Sequence, residues 1–146
     1  LVFCGQTHDV LPAGPKNHVL VSDPDSHFGV RWAPQVRDIV ICVTAPSIPI
    51  IAEKKQAIFD VPDSLGGAEI VGITAKIAQN TNKNPVKVAV LDAVKGKEIG
   101  VLSVVDCQKI GVSYPLEACQ TLEIDVLEVI PDSSACGLTV TLTIVL

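Results

Sequence analysis

The chain has 146 residues and a formal net charge of −5, and 48% of it is hydrophobic, 18% charged and only 3% aromatic. That length suits one domain with a proper core, and so apolar a composition excludes a disordered chain. The scattered basic residues argue against the electrostatic footprint of a direct nucleic-acid binder, and the scarcity of aromatic rings leaves few stacking platforms for sugars or single strands.

Val and Ile make up about a quarter of the chain, and β-branched side chains favour the pleated surface of strands. Residues 1–35 are the least regular. They carry Pro12, Pro15, Pro24 and Pro34 with Gly5, Gly14 and Gly29 between them. This is loop chemistry, with one short strand at 18–21. The expected organisation is a single β domain over 1–146, with 1–35 an irregular segment packed on or beside it. No linker, repeat or low-complexity tract divides it.

Residues 36–44 then predict a buried strand closed by Ala45-Pro46, with Cys42 as a small core residue. Residues 48–52 contain Pro49 and read as an edge or bend. A short strand at 57–61 is stopped by Pro62-Asp63, and Gly66-Gly67 is a turn. Residues 68–79 fit two periods. Val71, Ile73, Ala75 and Ile77 alternate as in a strand, while Ile70, Ile73, Thr74 and Ile77 fit a helical stripe. Gly72 and Thr74 tilt the choice to strand.

Residues 86–90 and 99–105 read as a hairpin about Lys95-Gly96-Lys97, whose glycine takes a positive φ. In 121–129, Leu122, Ile124 and Val126 point one way and Thr121, Glu123 and Asp125 the other. The phase slips at Leu127, which predicts a bulge or twist. In 138–146, Leu138, Val140, Leu142, Ile144 and Leu146 alternate with Thr139, Thr141 and Thr143. One face is therefore buried and the other bears hydroxyls. Residues 122–129 and 138–146 read together as a hairpin. The last strand is either pinned in a sheet or donated to a neighbour. The fold class is thus all-β, or β-rich with at most one or two short helices, built as an antiparallel sandwich or jelly roll. Periodicity does not set the strand order.

The longest apolar runs, such as 38–43, are far too short to span a bilayer. No targeting segment is legible, and a chain that begins at Leu1 need not show one. Five cysteines (Cys4, Cys42, Cys107, Cys119 and Cys136) include no Cys-x-x-Cys pair, so zinc and redox motifs are not expected. Cys119 and Cys136 flank a strand and are candidates to pair. The odd count leaves at least one thiol free or open to another chain. No Asn-x-Ser/Thr sequon occurs.

One cluster suggests a metal. Asp23, Asp25 and His27 alternate, so an extended segment would point all three the same way, with donors suited to a divalent ion. The same string is ordinary turn composition, and it lacks the glycine and distal Glu of an EF-hand loop. No cofactor is otherwise implied. His8-Asp9 beside Cys4 invites a nucleophile, base and orienter, but the flanking residues match no nucleophile signature. Neither a phosphate loop nor a Gly-x-Ser-x-Gly elbow occurs. Asp60, Asp63 and Glu117 read as solvated turn carboxylates. Trp32 reads as core rather than as a partner's anchor.

These features name no enzyme, and none is expected. So apolar a small domain keeps much apolar surface outside, and its sheets have edges to manage. Both problems vanish if copies pack together. The expected function is therefore a self-assembling structural subunit of capsid, coat, pilus or filament type, a homo-oligomer in a virion or extracellular setting. The alternatives are a binding or adhesion module working through its N-terminal loops, and a small β-fold enzyme with an unrecognised site.

Overall fold

The structure is a computed structural model that describes residues 2–4, 7–9 and 13–146, with side chains from residue 13 onward. Among those residues every regular element is a strand, apart from one 3-10 turn at Asp63–Leu65. The protein is all-β, as the residue pattern implies. It divides into two units, residues 1–36 with Leu146 and residues 37–145.

The first unit holds two antiparallel pairs. β1 (Val2–Cys4) pairs with β2 (Thr7–Asp9), and β3 (His18–Ser22) with β4 (Val30–Pro34). Four short strands therefore stand where the sequence suggested loops and one strand. Strands of this length carry too few alternating positions to be read through so many prolines and glycines. Gly29, at φ 73, closes the β3–β4 loop. Gly14 lies against the indole of Trp32 with no room for a Cβ. Trp32 itself is half-buried.

The second unit is a sandwich of two four-stranded antiparallel sheets. Its strands are β5 (Val36–Cys42), β6 (Glu53–Asp60), β7 (Glu69–Gln79), β8 (Val86–Asp92), β9 (Glu98–Val104), β10 (Cys107–Pro115), β11 (Thr121–Val129) and β12 (Cys136–Val145). One sheet has the order β10-β7-β12-β5 and the other β6-β11-β8-β9. Within them β8 pairs with β9, β7 with β10, β6 with β11, and β5 with β12. The four pairs nest one inside the next, as in a single long hairpin wrapped over itself.

Each sheet buries one face against the other. From the first sheet come Ile73, Ala75 and Ile77 of β7, and Leu138, Val140, Leu142 and Ile144 of β12. The second gives Val86, Val88, Val90, Leu102, Val104, Leu122, Ile124 and Val126. Fully burying each Val, Leu or Ile contributes roughly 1.5–3 kcal/mol, which offsets the entropy of ordering the chain. At Gly100 the sheets come close. A Cβ there would stand 2.8 Å from Ile110 Cδ1 and 2.9 Å from Ile73 Cδ1 of the opposite sheet.

Several expectations hold. Residues 68–79 form a strand, β7, which lies inside its sheet between β10 and β12. The β8–β9 hairpin turns where expected, with Gly96 at φ 65. The register of β11 against β8 shifts between Val126 and Glu128, so Leu127 is the extra residue. Pro49 makes only an isolated bridge to Cys136.

Other expectations are corrected. β5 is not buried. It is an edge strand, with Val40 66% exposed and Cys42 exposed rather than in the core. An apolar run looks the same at an edge as in a core. β11 and β12 are not a hairpin, because they belong to opposite sheets. β10 is an additional strand, in which Ile110, Val112 and Tyr114 face inward and alternate with exposed Lys109, Gly111 and Ser113.

Candidate functional site

The segment holding Asp23, Asp25 and His27 is a turn, not an extended strand. Asp23 Oδ1 accepts from the backbone N–H of Asp25 at 3.1 Å, and the N–H of Ser26 donates to Asp23 O at 3.1 Å. Ser26 Oγ donates to Val30 O at 2.7 Å, and Arg31 Nε stands 3.3 Å from Asp23 Oδ2. The His27 ring meets Phe28 edge to face at 4.9 Å. Asp23 is thus engaged in closing the β3–β4 loop, and the alternation that would have aimed three donors one way is absent. Among the described residues no group of three or more His, Cys, Asp or Glu side chains is placed to hold a metal ion.

The side chains of Cys4, His8 and Asp9 lie outside the described residues. Cys42, Cys107, Cys119 and Cys136 are free thiols, so the Cys119–Cys136 pairing does not form. Cys119 Sγ donates to Asp63 Oδ1 at 3.5 Å. That hydrogen bond and the charge of Asp63 raise the thiol pKa, which keeps it protonated and a poor nucleophile.

Polar chemistry is concentrated at two buried clusters that the sequence did not mark. The first joins the two sheets. Asp92, at the end of β8 and 1% exposed, accepts from Tyr114 Oη of β10 at 3.0 Å and from Gln120 Nε2. Its other oxygen accepts from the N–H groups of Val94 and Lys95, both at 2.9 Å. Burial pushes its pKa up, but the hydrogen bonds from Lys95, Gln120, Tyr114 and Val94 win and hold it at about 2. One carboxylate thereby shapes the β8–β9 turn and ties it to the opposite sheet.

The second cluster faces away from the other sheet. Glu123 and Asp125 of β11, on the face opposite Leu122, Ile124 and Val126, are 5% and 4% exposed. Asp125 Oδ1 accepts from the backbone N–H of Lys55 at 2.8 Å. Lys55 has φ 56 and lies in a bulge of β6, where Ile124 pairs with Ala57 but Val126 pairs with Glu53. The carboxylate thus supplies the acceptor that the bulge takes from the ladder. Its hydrogen bond with Asp125, then burial and the Asp125 charge, raise the pKa of Glu123, against Lys55 and Lys54, which lower it.

One further surface stands out for its chemistry. At one end of the sandwich, Ile51, Leu127 and Ile130 are 58%, 39% and 42% exposed. A shallow groove along Ile51, Ala52, Ile130, Pro131, Asp132 and Ser133 shares Ala52 with a second one lined by Ala52, Glu53, Lys54, Val126 and Leu127. Among the described residues no helix is long and apolar enough to cross a membrane.

No protein-family model matches the sequence, and no curated protein matches it. Among solved structures, the chain is similar to a chain of a cyanophage Pam1 capsid asymmetric unit. The identity is 14% and the TM-score 0.48, over 97% of this chain and 94% of that one. This is a distant likeness.

Proposed function

We propose that the chain is a structural subunit that assembles with copies of itself, as in a capsid, coat, pilus or filament, and that it is not an enzyme. The observation that carries this reading is the apolar surface of Ile51, Leu127 and Ile130, along two grooves that meet at Ala52. Single exposed apolar residues need no explanation, but a continuous patch on a small domain costs solubility unless it is covered. A second copy is the occupant, because repeated copies satisfy both the patch and the exposed edge strand β5 at once.

The nested strand pairs support reading the second unit as a jelly roll, an architecture of eight strands in two sheets that recurs in capsid, lectin and cupin domains. Fold alone does not choose among those uses. The net charge of −5 favours contact between protein copies over direct contact with nucleic acid.

Ile51→Lys with Ile130→Lys tests the reading, since both side chains are largely exposed and the fold should tolerate the change. Val94→Lys is the control, at a residue 83% exposed and outside the patch. If the wild type forms a large species in light scattering, as this reading expects, the double variant should lose it and the control should keep it. Equal masses for all three proteins would overturn the proposed surface.

A further inference from the structure

The β6 bulge has an unusual anchor. Strand ladders hold their members by backbone pairs, but at Lys55 the backbone N–H is held by a side chain, Asp125 Oδ1 at 2.8 Å. The same carboxylate has Glu123 beside it, two residues away on the same face of β11. Both are at least nine-tenths buried. Two ionised carboxylates at alternate positions on one buried strand face repel, which favours the protonated form of Glu123.

The surroundings offer little relief. β8 presents Ala89 opposite Asp125 and Leu91 opposite Glu123, neither of which carries a charge. β6 presents Ile58 opposite Glu123, with Lys54 and Lys55 in the bulge and Glu53 at its start. Beyond β8, Glu98 of β9 stands opposite Leu91. Glu128 lies past the Leu127 bulge, opposite Lys87. The two lysines are exposed, so water screens their pull.

We propose that Glu123 and Asp125 form a proton-operated latch on β6. With one proton shared between them, Glu123 donates to Asp125, and Asp125 holds the Lys55 N–H. With both ionised, the carboxylates separate, the N–H loses its acceptor and the bulge loosens from β11. β6 is an edge strand, so the loosening costs no second ladder. The bulge also lines the groove that includes Ala52, Lys54 and Leu127. The latch would therefore set the shape of that groove, whether or not copies meet there.

The test is an NMR titration of the full chain from acid to mildly alkaline pH, following the Glu123 side-chain carboxyl carbon and the exchange of the Lys55 amide. Glu123 should titrate above the exposed glutamates. Over the same interval the Lys55 amide, corrected for intrinsic exchange, should lose protection at least several-fold. Glu123→Gln keeps the donor without the charge, and should abolish that loss while leaving the amide protected throughout. Asp125→Asn should return Glu123 toward the ordinary range. The proposal is overturned if Glu123 titrates with the exposed glutamates, or if wild type and Glu123→Gln lose Lys55 protection alike.

Discussion

Asp92 and the Glu123–Asp125 pair are both buried carboxyl sites on the same sheet, yet they sit on opposite faces and obey opposite rules. Asp92 has two backbone N–H groups, an amide and a phenol directed at it. Those donors stabilise the anion, and its pKa falls to about 2. Glu123 has Asp125 as its hydrogen-bond partner, which favours the protonated form and raises its pKa. Burial is common to both, so it is the donors that decide the sign. Asp92 is a fixed charge that joins two sheets, whereas the raised pKa of Glu123 makes its charge depend on pH.

The strongest way to sharpen this contrast is a buried carboxyl with no donors at all. Leu142 is fully buried in β12, and Leu142→Asp should abolish soluble folded protein, since an unpaired buried charge costs more than a small domain's margin. A cooperative melt at the wild-type temperature in circular dichroism would refute the β12 register. Next in size is Asp92→Ala, which leaves Tyr114, Gln120 and two backbone donors without their acceptor. It should cost about 3 kcal/mol in urea denaturation. A cost below about 1 kcal/mol would mean that water replaces the carboxylate and the sheets are joined elsewhere.

A smaller effect is the acid limb of stability. The folded pKa of Asp92 lies below its ordinary 3.8, so its contribution is present above that value and is lost as pH falls toward 2. Allowing for solvent screening, the loss is roughly 1–2 kcal/mol, and Asp92→Asn should flatten it. Smallest is the opposite limb. Glu123 has a raised folded pKa, so its contribution is present below the ordinary 4.5 and is lost as pH rises through the raised value. Glu123→Gln should remove that slope while leaving the acid limb intact. If it altered the acid limb instead, the two sites would be coupled rather than independent.

What the sequence reveals depends on whether the pattern is local. The alternation in β12 and the slip at Leu127 are local, and both read correctly. β7 was ambiguous for a physical reason. The β12 register shifts where Thr143 faces Gly72 but Ile144 faces Ile70. An extra residue at Val71 resets the phase and leaves Ile70, Ile73 and Ile77 all buried, a spacing that imitates a helix. Alternation reports the face but not the depth, so it sets Glu123 and Asp125 opposite Leu122, Ile124 and Val126 without showing that they are buried. Asp92 was invisible because its side-chain partners, Tyr114 and Gln120, lie 22 and 28 residues away. The apolar surface was legible only as a surplus of composition, because its position depends on loops 43–52 and 130–135 meeting in space.

The proposed function requires copies of this chain to assemble. The solution mass of the wild-type protein, measured by light scattering on a sizing column over a range of concentrations with and without reductant, tests it most directly. A discrete species many times the 15.4 kDa of one chain is expected, retained in reductant because apolar contacts rather than thiols hold it. A monomer at every concentration would contradict it.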